Sequence, residues 1–188
     1  MDVVRDGKGT SWIYNSSHIR RGIGLVRNTV RALIVQNGML LTIKKERPGI
    51  GIYYALPGGA QEPGETLEQA LTRECLEELG IEIIDHQLLC IREYISNNHE
   101  YSFIMKEVHV IDFVFECSFI SNESGLFSPQ GDLGQIGIEW LPVAKIKQSI
   151  CQPNELSTPY IFPNTTRDLL KEYFSKQSLE PYISQNFE

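Results

Sequence analysis

Hydrophobic and polar positions change period several times along the chain, and each change marks an element. Two β-rich runs, TVRALIV and MLLTIK, flank Asn37-Gly38. Asn-Gly favours the positive-φ pair of a two-residue hairpin turn, so Thr29–Val35 and Met39–Lys44 are expected as paired strands. RPGIG reads as a loop, and YYALPGG as a short strand ending on a Pro-Gly-Gly turn. After Pro63-Gly64 the period becomes helical. Thr66 with Gln69 makes a capping box, Leu67, Ala70, Leu71 and Cys75 share one side, and Gly80 stops the helix. IEIIDHQLLCIREYI and KEVHVIDFVFECSFI are long strands, the second apolar on both faces. SNESGLFSPQGDLGQ is a loop, IGIEWLPVAKIKQ a strand and a turn of helix. TTRDLLKEYFSK is an amphipathic helix, capped at Thr165, with Leu169, Leu170, Tyr173 and Phe174 on one side. Strands dominate with two or three helices between them, which gives an α/β (α+β) class with a mixed sheet. The 188 residues suit one domain, 29–178, with an N-terminal extension over 1–28 and a tail over 179–188.

The helix after Thr66 poses a problem. Gly58 to Ile81 contains six glutamates. With Leu67 at zero and about 100° per residue, Leu71 falls near 40° and Cys75 near 80°, while Glu74 falls near 340° and Glu78 near 20°. Two carboxylates therefore share the packed face, and Glu77 sits at its edge beside Arg73. Unpaired buried carboxylates cost several kcal/mol each, and like charges four apart repel. A divalent cation resolves both, and hard oxygen ligands favour magnesium or manganese over zinc. The plainer alternative is a glutamate-rich surface helix, which suits Glu62, Glu65 and Glu68 near the helix start.

Composition narrows the classes. A net charge of −7 argues against a nucleic-acid backbone binder and suits a holder of divalent cations. No apolar run approaches the roughly 20 residues of a membrane span, and the first residues lack the core of a secretory signal. Cys75, Cys90, Cys117 and Cys151 form no C-x-x-C pair, so they read as free buried thiols and the compartment as cytoplasmic. No Walker-type phosphate loop is present.

From Gly59 to Ile81 the chain resembles the Nudix box: glycine, five residues, Glu, seven residues, Arg-Glu, an aliphatic, any residue, Glu-Glu, any residue, Gly, an aliphatic. Gly59, Glu65, Arg73, Glu74, Glu77, Glu78 and Gly80 fill every charged and glycine position, and Cys75 stands where the pattern has an aliphatic. With the preceding hairpin, LPGG, and the following EWLP and closing helix, the resemblance spans about Thr29 to Lys176. It implies the Nudix fold, a mixed β-sheet sandwiched between α-helices. It also implies Mg²⁺- or Mn²⁺-dependent hydrolysis of a phosphoanhydride in a nucleoside diphosphate linked to another moiety. By position, Glu74, Glu77 and Glu78 would be the catalytic metal carboxylates and the Gly59 carbonyl a further ligand. Glu65, Arg73 and Gly80 would support the box. The general base would be Glu77 or Glu74, or an acid outside the box, for which Glu116, Glu123, Asp132 and Glu139 are the candidates. The alternative is a nucleotide-sensing Nudix module that binds without turnover.

The substrate is less legible. Ser157–Thr165 shares Ser157, Pro159, Phe162 and Pro163 with a motif of the NADH-cleaving branch, but it lies far beyond the box and reads as a turn before the last helix. LLTIKK shares only its start with a coenzyme A signature. Arg47, Tyr53, Tyr54 and Arg92, with Lys44 and Tyr94, flank the box in sequence and are the candidates for stacking and cationic contacts to a nucleotide. The expected partner is a small-molecule nucleotide, with no nucleic acid and no membrane. Nothing in the sequence decides between a monomer and a homodimer.

Overall fold

The computed structural model describes residues 2–5, 11–14, 26–98, 108–120, 126, 134–151, 160–161, 164–175 and 182–183. The elements in order are β1 (Asp2–Arg5), β2 (Ser11–Tyr14), β3 (Val26–Leu33), β4 (Val35–Gln36), β5 (Met39–Arg47), β6 (Gly51–Ala55), α1 (Leu67–Leu79), β7 (Glu82–Ile95), β8 (His109–Ile120), β9 (Gln135–Pro142), α2 (Val143–Cys151), α3 (Asn164–Ser175) and β10 (Tyr182–Ile183). A 3₁₀ turn, Ser96–Asn98, follows β7.

Two larger sheets organise the chain. The first has the order β10-β7-β8-β3, with β7–β8 antiparallel and the outer pairs parallel, so it is mixed. In the second, β5 pairs antiparallel with β4, β6 and β9. β1 and β2 form a separate antiparallel pair.

The expected hairpin at Asn37-Gly38 is present only at its tip. Both turn residues have positive φ, and Val35 and Gln36 pair with Leu40 and Met39. Upstream, the same run leaves β5 and lies parallel to β8 as β3, which begins at Val26 rather than Thr29. The reason is burial on both faces. Val30 and Ala32 point to a core with α1, while Leu33 points to a core with α3, so this segment belongs between layers.

Those cores place helices on two sides. Ala70, Leu71, Cys75 and Leu79 of α1 pack on Val30, Ala32, Leu41, Ile43, Phe115 and Cys117. Ile146 of α2 and Leu169 and Leu170 of α3 pack with Leu33, Leu40, Leu56, Cys90, Val114 and Leu141. A fully buried leucine contributes roughly 1.5–3 kcal/mol relative to exposure, so these two clusters fix the three helices to the sheets. The fold is thus the expected α+β sandwich. The last helix starts at Asn164, so Thr165 lies inside its first turn rather than at the cap. Val26–Asn28, assigned to the extension by sequence, belong to β3, and Tyr182–Ile183 of the tail pair with β7. Among the described residues no helix is long and apolar enough to cross a membrane.

Candidate active site

The site grows from the free edge of β3. After β6 the chain bends at Pro57 and runs as a strap along that edge. Ala32 N–H donates to Pro57 O at 2.9 Å, Val30 N–H to Gly59 O at 2.9 Å, and Gln61 N–H to Asn28 O at 3.0 Å. A side chain at Gly58 is impossible there: its φ is +127°, and a Cβ would lie 2.0 Å from the Val30 carbonyl oxygen. The strap therefore presents bare backbone towards α1.

Helix α1 begins as its sequence requires. The Thr66 hydroxyl accepts from Gln69 N–H, the Gln69 side chain accepts from Thr66 N–H at 2.7 Å, and Gly80 closes the helix in the left-handed conformation. That start sets the phase that turns Glu74 and Glu78 inward, leaving them 8% and 1% exposed. Glu78 Oε2 accepts the Gly58 N–H at 2.7 Å, and its Oε1 lies 3.7 Å from Lys45 Nζ. Glu74 faces Gly59, where a Cβ would stand 2.4 Å from Oε1.

Arg73 binds the loop to the helix. It donates to Glu65 and Glu74 at 2.8 Å, to Glu77 at 3.2 Å and to the Ala60 carbonyl at 3.0 Å. Glu65 first, and then Glu74, hold its guanidinium above the usual range, and Arg73 with the Glu62 N–H holds the Glu65 carboxyl below its usual range. Glu77 is the most exposed of the three acids predicted to hold metal, at 37% of its side chain.

The donor chemistry fits a hard cation. Glu74, Glu77 and Glu78 present only carboxylate oxygens, and the missing Cβ at Gly59 leaves the cradle into which the Glu74 carboxylate fits. The Gly59 carbonyl has one lone pair committed to Val30 N–H and one remaining. Among the described residues no three His, Cys, Asp or Glu side chains converge as a finished ligand set, and here Arg73 and Lys45 supply the positive charge.

Beside the strap lies a cavity of about 310 Å³. Among the described residues its wall includes Gly58, Gly59, Tyr53, Tyr94 and five cationic side chains, Arg27, Arg31, Lys45, Arg47 and Arg92, against the single carboxylate of Asp112. The structure places Arg47, Tyr53, Arg92 and Tyr94 on this wall. Tyr54 and Lys44 do not line this cavity; they meet Glu139 instead, each at 3.2 Å. Arg92 is only 1% exposed, and its guanidinium is held by Asp112 and Thr166.

Sequence reasoning missed Arg27, Arg31, Lys45 and Asp112. The signal was strand alternation: Arg27, Thr29 and Arg31 recur every second residue, and Asp112 is a lone acid within HVIDFVF. Of the acids outside the box, Glu116 accepts from the Tyr173 hydroxyl at 2.6 Å and Glu139 is bound by Lys44 and Tyr54. Glu123 and Asp132 lie outside the described residues, as does most of Ser157–Thr165. Cys75, Cys90 and Cys117 are free and buried, and burial pushes the Cys90 and Cys117 thiols up to about 11 and about 12.

A family model described as the NUDIX domain matches residues 25–160. A curated relative, the nucleoside triphosphatase NudI of Enterobacter sp. (strain 638), is 32% identical over 96 residues, covering 48% of this chain and 68% of its own length. The structure of a MutT NUDIX hydrolase from Burkholderia pseudomallei aligns with TM-score 0.57 and 25% identity, covering 78% of this chain and 97% of that one. A NUDIX hydrolase from Nitrosomonas europaea, at 22% identity, shares the fold with TM-score 0.60 over 81% of this chain and 92% of its own.

Proposed function

The chain belongs to the NUDIX hydrolase family, and from that premise we propose that it hydrolyses a phosphoanhydride bond of a nucleotide, of the nucleoside triphosphate class, with Mg²⁺ or Mn²⁺. The observation that carries this reading is the burial of Glu74 and Glu78 on the packed side of α1, against the Gly58–Gly59 backbone and next to a cavity rich in cations. The relative named as a nucleoside triphosphatase favours the triphosphate class.

Glu74, Glu77 and Glu78, with the Gly59 carbonyl, would hold the metal, which supplies charge neutralisation at the phosphates and a more acidic water. Lys45 and Arg47 face the polyanion, and Tyr53 and Tyr94 offer rings for a base. In the reaction a water oxygen bonds to phosphorus and the bridging P–O bond breaks. The leaving phosphate takes the bridging oxygen, and a carboxylate, Glu77 or Glu74, takes the water proton. Glu77 suits this best on exposure, being the more exposed of the two.

The test is phosphate release from nucleoside triphosphates, ADP-ribose, NADH and a nucleotide sugar with Mg²⁺, Mn²⁺ or EDTA. Expected is one preferred, EDTA-sensitive substrate. Glu78→Gln should fold and lose at least about 100-fold in turnover, more than an outer-shell change typically costs. Exposed Glu68→Gln should match wild type. Equal turnover in wild type and Glu78→Gln would sink the assignment.

A further inference from the structure

A row of buried charge crosses the first sheet behind the cavity. Arg92 on β7, Asp112 on β8 and Thr29 on β3 stand opposite one another in register. Arg92 and Asp112 are 1% and 3% exposed. Arg92 donates to Asp112 Oδ2 through both Nε and Nη2, and its Nη1 donates to the Thr166 hydroxyl of α3 at 2.6 Å. The Thr29 hydroxyl donates to Asp112 Oδ1.

Both Arg92 donors meet the one oxygen Oδ2, which leaves Oδ1 to other donors. Asp112 takes one more donor there: Arg31 Nε reaches Oδ1 at 3.3 Å. Arg31 lies at the cavity wall with 27% of its side chain exposed, and its other arm turns back so that Nη1 donates to the Gly58 carbonyl. The Gly58 N–H in turn donates to Glu78 Oε2 at 2.7 Å. A continuous run of hydrogen bonds therefore leads from the floor of the cavity to an acid of α1. Gly58 has no side chain and a left-handed φ, so only its backbone contacts define where its N–H points.

We propose that Asp112 is a positioning residue for Glu78, acting through Arg31, which clamps the Gly58 backbone that holds the Glu78 carboxylate. The inference rests on the reading of Glu78 as a metal carboxylate. Burial works against charge on Asp112, but Arg92 and Arg31 outweigh it and hold its carboxyl well below the usual range. Outer partners that orient a ligand typically matter tenfold or more to metal affinity or rate.

The test uses the full chain with Asp112→Asn and Arg31→Lys, the second on a partly exposed side chain that leaves the buried pair intact. Four quantities are read: exchange of the Gly58 amide by NMR without metal, Mn²⁺ affinity by electron paramagnetic resonance without nucleotide, and kcat and KM below the unfolding temperature. Expected are faster Gly58 exchange in both variants, and Mn²⁺ affinity and kcat each about tenfold lower with KM within about twofold. Wild-type exchange and Mn²⁺ affinity in Arg31→Lys overturn the proposal, as does a rise in KM alone, which would make Arg31 a direct substrate contact. Glu78→Gln separates the two levels. Its unchanged Mn²⁺ affinity overturns the metal reading and the relay with it; its loss beside unchanged Asp112→Asn and Arg31→Lys overturns the relay alone.

Discussion

Two adjacent glycines show how differently single atoms act in this site. At Gly58 an added methyl would meet the Val30 carbonyl at 2.0 Å with φ at +127°, and backbone cannot step aside. At Gly59 the nearest atoms belong to the Glu74 carboxylate, the far end of a flexible side chain. Gly58→Ala should therefore cost about 2 kcal/mol of stability or more, read by urea unfolding. Gly59→Ala should cost less than about 1 kcal/mol, yet lower Mn²⁺ affinity by displacing Glu74; the reverse order would show that the strap is not clamped to β3. Asp112 makes a pH-dependent counterpart. Its folded carboxyl lies below the ordinary 3.8, so its contribution is fully present above about 4 and is lost as pH falls through that value towards the folded one. Wild-type chain should lose melting temperature on acidification from about pH 5 to about pH 3 more steeply than Asp112→Asn does. Parallel curves would deny the depressed carboxyl.

For the elements, the start of α1 matters because it sets the rotation of Glu74, Glu77 and Glu78. Thr66→Ala removes the acceptor for Gln69 N–H, a loss of typically about 1 kcal/mol, or about 3 °C in melting temperature for a chain of this size. Melting curves check this, and turnover should change little, since Leu71 and Leu79 still hold the helix in phase. Much of this element was legible because every cue was local: Thr66 and Gln69 are three apart, Gly80 follows the last turn, and the glutamates fall on the leucine side of a wheel. β7, β8, β9 and α3 were legible for the same reason. The split of TVRALIV between two sheets was not, because pairing of β3 with β8 joins residues some 83 positions apart, and an Asn-Gly turn specifies only its immediate flanks. Likewise Tyr53 and Tyr54 are neighbours in sequence but face opposite sides of β6, so only one reaches the cavity. The cationic wall draws on β3, β5 and β7 at once, and no local window contains it.

At the scale of the whole molecule, the charge distribution opposes itself. The chain carries a net −7, which repels a polyphosphate at long range, while among the described residues five cationic side chains against one carboxylate line the cavity. Which field a nucleotide feels on binding is decided by screening. The Debye length falls from roughly 10 Å at 0.1 M salt to roughly 3 Å at 1 M, so exposed charges on the far surface are muted first and close contacts last. If the cavity governs affinity, added salt competes with direct contacts to Lys45 and Arg47, and KM should rise at least about threefold across that range with kcat nearly constant. If the surplus of acid governs, salt should relieve repulsion and KM should fall. The two outcomes differ in sign, so the experiment needs no absolute affinity. Arg47→Gln then identifies the source: removing one wall cation should raise KM at low salt and flatten its salt dependence, whereas a slope unchanged in Arg47→Gln would place the controlling field elsewhere than this wall.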